Sequence, residues 1–170
     1  MSERNERSKR SARSEHPVVA GENPTASVVV VTKDRPELLD RLLASLVKQT
    51  RTPDEVLVVD NDSSVSYEET IARYRDSLPL RVVVEKTPGI PHARNRGWRE
   101  ANGEIVIFTD DDCVAEPDWV ASMLAPFALN PHIGAVGGEI LSDERAGTWI
   151  ESFCAAETLM RMGRPDEDEA

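Results

Sequence analysis

Cysteine, histidine, basic charge and long apolar runs are all scarce in this chain. Its two cysteines, Cys113 and Cys154, stand far apart. They supply neither the dense framework of a disulfide scaffold nor the closely spaced ligands of a zinc site, so both are expected as reduced thiols. The three histidines, His16, His92 and His132, have no metal-ligand spacing. No apolar run approaches the roughly 20 residues that a membrane helix needs. Met1 to His16 lacks the apolar stretch of a secretory signal, and a cytoplasmic protein is the expectation. Lys and Arg number 20 against 31 Asp and Glu, a net charge of −11. That balance argues against nucleic acid as a partner, because non-specific binding to it needs a basic surface. A G-x-G-x-x-G fingerprint, a P-loop and a G-x-S-x-G elbow are also missing, which removes three familiar routes to a nucleotide or hydrolase site.

What remains is a chain of 170 residues, 39% apolar and 30% charged. It is long enough for one globular domain with a real core. Residues 1–25 are rich in Ser, Arg, Glu and Asn with no apolar period, and are expected to form a disordered arm. Arg4, Arg7, Lys9, Arg10 and Arg13 offer a peripheral contact to an anionic membrane, but Glu3, Glu6 and Glu15 dilute them. A solvated tail is the expected state.

From residue 26 onward, short β-branched runs alternate with amphipathic stretches. Val28 to Val31 and Val56 to Val59 read as buried strands, the first on both faces, and Val82 to Val84 and Ile105 to Phe108 as a third and a fourth strand. Leu38, Leu39, Leu42, Leu43, Leu46 and Val47 repeat on one helical face after the first. Asp34, Pro36 and Glu37 fit the N-cap, first turn and capping box of that helix. Further helices are expected near Glu68 to Arg75, Pro91 to Ala101, Asp118 to Leu129 and Thr148 to Met162. A short segment, Ala135 to Gly138, precedes the last. This alternation predicts an α/β fold: an open, mostly parallel sheet with helices on both faces.

The polar residues collect where the apolar strands stop. Thr32-Lys33-Asp34-Arg35 follows the first strand, Asp60-Asn61-Asp62 the second and Asp110-Asp111-Asp112 the fourth. In an open α/β sheet those ends face one crevice where ligands bind. Clustered carboxylates repel unless a cation or ligand compensates, which points to a metal. Residues two apart on an extended segment face the same way. Asp110 and Asp112 can therefore share a site while Asp111 faces elsewhere. Two hard oxygen ligands suit Mg²⁺ or Mn²⁺. An acidic turn capping the next helix is the alternative. Asp60 is either a turn-forming side chain or an acceptor for a nucleobase or ribose. Arg94 is either a phosphate neighbour near a helix N-terminus or surface charge.

The ordered series of Thr-x-x-Arg from Thr32, Asp-Asn-x-Ser from Asp60, Pro88-Gly89, Ala-Arg-Asn-x-Gly from Ala93 and Asp-x-Asp from Asp110 resembles family 2 glycosyltransferases of the GT-A fold. The likeness runs from about Ser27 to Ile140. It implies transfer of a sugar from a nucleotide-diphosphate donor to an acceptor hydroxyl, with inversion. The acceptor would be a carbohydrate, lipid-linked or other hydroxyl. The resemblance assigns Thr32, Asp34, Arg35, Asp60, Arg94, Asp110 and Asp111 to the nucleotide sugar, and Asp110 and Asp112 to a Mg²⁺ or Mn²⁺ ion. Family members continue for a further hundred or so residues, through a segment carrying the base that acts on the acceptor. The expected domain, residues 26–170, is therefore incomplete at its C-terminus, with donor binding present and transfer by this chain alone absent. The acidic run Asp166 to Glu169 faintly resembles the base-carrying motif but is expected to be solvated. Two other readings compete. One is a binding module or pseudoenzyme that holds a sugar nucleotide without transferring it. The other is a haloacid-dehalogenase-like phosphatase built on Asp110 to Val114, which lacks the downstream lysine of that chemistry.

Overall fold

A computed structural model describes residues 23–130 and 132–138 of the chain. Most of the N-terminal arm, Cys154, the helix expected over Thr148 to Met162 and the Asp166 to Glu169 tail lie outside the described residues. Four strands and four helices alternate: β1 (Ala26–Thr32), α1 (Pro36–Leu46), β2 (Glu55–Asp60), α2 (Glu68–Tyr74), β3 (Leu80–Val84), α3 (Ile90–Glu100), β4 (Ile105–Asp110) and α4 (Trp119–Leu129). The strands make one parallel sheet in the order β3-β2-β1-β4. The chain travels outward from β1 to β3, then returns to place β4 on the other side of β1.

Right-handed crossovers require the connecting helix to change faces when the direction of travel reverses, and it does. Val28, Val30, Val56 and Val58 pack with Leu39, Leu42, Leu43 and Leu46 of α1, Ile71 of α2 and Val120 of α4. Val29, Leu57 and Val59 point to the opposite face and pack with Ala93 of α3. Both faces of β1 and β2 are thus covered, which is why these strands are unbroken apolar runs rather than alternating ones. Gly97 permits the closest of these approaches. A Cβ there would overlap Val29 Cγ1 and lie 3.2 Å from Val59 Cγ2, so α3 rests directly on the sheet.

The elements agree with the sequence expectations to within a few residues, with two corrections. Helix α1 is capped at Arg35, not Asp34, and no side chain caps it. Order also begins before residue 26, because the Thr25 amide and hydroxyl both donate to Glu104 Oε2, at 2.9 and 3.1 Å. Ala135 to Gly138 runs without regular structure. It lines a groove of about 610 Å³ with Trp98, Val106, Phe108, Met123 and Phe127. This groove lies on the side of β4 away from β1. Among the described residues no helix is long and apolar enough to cross a membrane.

The amino-terminal edge of the sheet is fastened by one carboxylate. Glu55 is buried and accepts Ser27 Oγ at 2.5 Å, Asn102 N at 2.9 Å, Asn102 Nδ2 at 2.8 Å and Arg81 Nε at 2.9 Å. Burial pushes its pKa up, but the bonds from Ser27, Asn102 and Arg81 outweigh burial and hold it below the ordinary value. A carboxyl with a depressed folded pKa stabilises the protein above its unfolded pKa and loses that contribution as pH falls through the folded one. Glu55→Gln should therefore lower unfolding free energy at neutral pH by about 1–3 kcal/mol. The gap from wild type should narrow below pH 4.5. Urea unfolding of both proteins at neutral and acid pH measures this, and a gap that widens on acidification would contradict it.

Candidate functional site

Parallel register brings the sequence-predicted polar residues to one edge. Thr32 pairs with Asp60 and Val31 with Asp110, so β1, β2 and β4 end together. Asp60 and Asp110 flank β1, with their backbones roughly 10 Å apart across two strand spacings. Strand order reverses between β1 and β4, where open α/β sheets form their ligand crevice.

The side chains there divide into buried and exposed sets. Thr32 is 2% exposed and Asp111 is 4% exposed. The Thr32 hydroxyl donates to Asp111 Oδ2 at 2.7 Å and lies 3.1 Å from the Tyr67 hydroxyl. Asp111 Oδ1 accepts Arg35 Nη1 at 3.4 Å. The Arg35 guanidinium is itself more than half exposed. Asp110 and Asp112 are exposed, and Asp111 is set apart from them not by an extended segment but by a turn after β4, in which Cys113 N donates to the Asp110 carbonyl at 3.2 Å. Arg94, on α3, donates through Nη2 to Asp110 Oδ1 at 2.8 Å. Asp112 accepts only the Cys113 thiol, at 3.9 Å, among the described residues. Asp60 is half-buried. Its Oδ1 accepts the Ser63 amide at 2.9 Å, which closes the turn after β2.

Asp34 serves the loops rather than its own helix. Its backbone is left-handed, with φ of 55°, a conformation that Asp tolerates better than most residues. That turn sends its carboxylate across to the β2–α2 loop, where Oδ1 accepts Ser64 N at 2.6 Å and Ser64 Oγ at 2.9 Å. This is the physical reason the capping role passes to Arg35. The Ser64 hydroxyl, and then its amide, hold the Asp34 carboxyl below the ordinary carboxylate range.

Against this geometry, residues 27–162 match the glycosyl transferase family 2. The chain belongs to that family. It is 37% identical over 109 residues to a validoxylamine A glucosyltransferase of Streptomyces hygroscopicus subsp. limoneus, covering 62% of this chain and 24% of that protein. Among solved structures it is similar to S. aureus TarS in complex with UDP, with a TM-score of 0.54 and 31% identity over 60% of this chain and 32% of that one. It is also similar to the mannosyltransferase PcManGT from Pyrobaculum calidifontis in complex with GDP-Man and Mn²⁺. There the TM-score is 0.58 with 28% identity, covering 75% of this chain and 39% of that one. The chain thus spans about a quarter to two fifths of the length of these three proteins. The phosphatase alternative for Asp110 to Val114 gives way to this assignment.

No three His, Cys, Asp or Glu side chains gather as a metal cage among the described residues. The donor set of this family 2 domain nonetheless fits Mg²⁺ or Mn²⁺. Such ions are held by one or two carboxylates together with water and substrate phosphates. Asp112 offers an exposed carboxylate that no charged side chain engages among the described residues. Asp110 offers a second whose present partner is the exposed Arg94.

Two further residues, only one of them within a sequence motif, hold this site together. Tyr67 is the first. Asn61, buried just after β2, is the other. Its Nδ2 donates to the carbonyls of Glu85 and Thr87, both at 2.9 Å, and its Oδ1 accepts the Gly89 amide at 3.0 Å. Gly89 begins α3 with φ of 117°, a value that favours glycine. Asn61 therefore fixes the approach of α3, and with it Arg94. Its place in Asp-Asn-x-Ser is the signal that pointed to it. Asn61→Ala should cost about 1–3 kcal/mol, because three part-buried backbone groups lose the partner that ties them together. Denaturant titration tests this, and a loss below about 0.5 kcal/mol would contradict it.

Proposed function

We propose that this edge binds a nucleoside-diphosphate sugar and is the donor-binding part of a transfer of that sugar to an acceptor hydroxyl with inversion. The observation that carries the reading is the convergence of Asp60, Asp110, Asp112, Arg35 and Arg94 at the carboxyl ends of β1, β2 and β4. The complexes of similar proteins with UDP and with GDP-Man and Mn²⁺ support it.

The proposed roles follow from what each group has left to offer. Asp60 uses Oδ1 on its own loop, and its second oxygen accepts from the nucleobase or ribose. The exposed guanidinium of Arg35 reaches the anionic part of the donor, beside the loop that Asp34 ties down. Thr32 and Asp111 serve the same nucleotide end from behind, by holding Arg35. Asp110 faces the ribose and the cation, and Asp112 faces the cation. Arg94 and Asp110 form an exposed pair, worth about 0–1 kcal/mol, so a ligand can exchange it at small cost. Arg94 is then free to face phosphate, which a guanidinium matches in shape and charge. A divalent cation held by Asp112 and Asp110 would neutralise the charge of the departing nucleotide diphosphate. The acceptor in this reading is a carbohydrate, lipid-linked or other hydroxyl.

Calorimetry with UDP and GDP tests the donor and metal together. Binding should be at least about tenfold tighter with Mn²⁺ or Mg²⁺ than with EDTA, a difference of about 1.4 kcal/mol. Asp112→Ala should remove most of that difference. Equal affinity in EDTA would overturn the cation role, and no binding of either nucleotide would overturn the donor reading.

A further inference from the structure

We propose that Tyr67 is a positioning residue for the donor site, acting through a one-way hydrogen-bond chain that ends on Asp111. The inference rests on the donor-binding reading above. Tyr67 stands at the start of α2, 6% exposed, with its ring in the core beside Ile71. Its hydroxyl meets Arg35 N at 3.1 Å, Ser63 Oγ at 3.2 Å and Thr32 Oγ1 at 3.1 Å.

A phenol has one proton and two acceptor sites, so three partners saturate it and the direction of each bond follows. The Arg35 amide can only donate. Thr32 spends its single hydroxyl proton on Asp111 Oδ2, because a carboxylate accepts and does not donate. Thr32 therefore accepts from Tyr67, and Ser63 must donate to Tyr67. Ser63 Oγ in turn accepts the Asp34 amide at 3.0 Å. The chain runs from the Asp34 amide through Ser63, Tyr67 and Thr32 to Asp111, with every proton pointing the same way. The carboxylate at its end polarises each donor before it.

This chain spans the loops that follow β1, β2 and β4, and it grips Arg35 twice. Tyr67 takes the Arg35 amide and Asp111 takes its guanidinium. Buried as it is, the Tyr67 hydroxyl does not face the crevice. It acts on a donor only by fixing where Arg35 stands.

Tyr67→Phe keeps the ring in the core and deletes only the hydroxyl. In the 170-residue chain without ligand, amide hydrogen exchange at Arg35 should speed up by about tenfold, the loss expected for one hydrogen bond. Exchange at Val29 and Val58, in the centre of the sheet, should be unchanged. UDP or GDP with Mn²⁺ should bind about tenfold more weakly to the variant. Adding Thr32→Val should weaken binding little further, since both substitutions cut one chain. Wild-type exchange at Arg35, unchanged nucleotide affinity, or fully additive losses would each overturn the proposal while leaving donor binding intact. A wild-type chain that binds neither nucleotide would overturn the donor reading, and the positioning role with it. Exchange at Arg35 would still report whether the hydroxyl orders the loop.

Discussion

Everything at the candidate site depends on the parallel register of β1 with its two neighbours. β1 is paired on both edges and covered on both faces, and Val28, Val29 and Val30 are fully buried. A slip of one residue would turn Val28 and Val30 toward α3 and Val29 toward α1, exchanging two differently shaped surfaces. Gly97 leaves no slack on the α3 side. The register is therefore fixed by packing, and packing delivers Thr32, Asp60 and Asp110 to one line. The acidic residues are distant in sequence, and their meeting is a consequence of apolar burial rather than of any attraction between them.

Beyond the strand ends, hydrogen bonds take over from packing. Asn61 fastens the β2 loop to the start of α3. Asp34 fastens the β1 loop to the β2 loop, and Asp111 draws the β4 turn onto Thr32. Burial sorts these polar groups by task. Thr32, Asn61 and Asp111 are enclosed and their bonds are mutually satisfied, as buried polar atoms must be. Asp110, Asp112, Arg35 and Arg94 remain exposed, with weak or no ionic partners among the described residues. A ligand can recruit the second set cheaply because the first set has already fixed where it stands.

Much of this was legible in the sequence, for reasons that can be named. All four strands fall where the apolar, mostly β-branched runs lie, but only β1 and β2 are buried on both faces. Asp111 is buried while Asp110 and Asp112 are exposed, but the cause is the turn that follows β4 and not the two-residue alternation of an extended chain. Asp34 reads as a cap because an acidic residue shortly before Pro36 has an obvious local use there. A left-handed turn spends it on a loop 30 residues away instead. Tyr67 and Glu55 were passed over for the opposite reason. Tyr67 sits four residues before Ile71 and reads as core, which its ring is. Only the fold reveals that its hydroxyl meets three partners at the end of β1 and on the segments that follow β1 and β2. Glu55 reads as a polar residue at a strand edge, and its four donors come from three distant segments. Local patterns report local jobs, whereas these residues work at long range.

On the proposed function, one register-fixed edge gathers the donor site. Amide chemical-shift mapping of the isotope-labelled chain, titrated with UDP or GDP in the presence of Mg²⁺, tests it most directly. The largest changes should fall together on residues 32–35, 60–63 and 110–113, at the carboxyl ends of β1, β2 and β4, and on 89–94 at the start of α3. Changes centred instead on Ser27, Glu55 and Asn102 at the opposite edge, or on the outer face of α1, would contradict it.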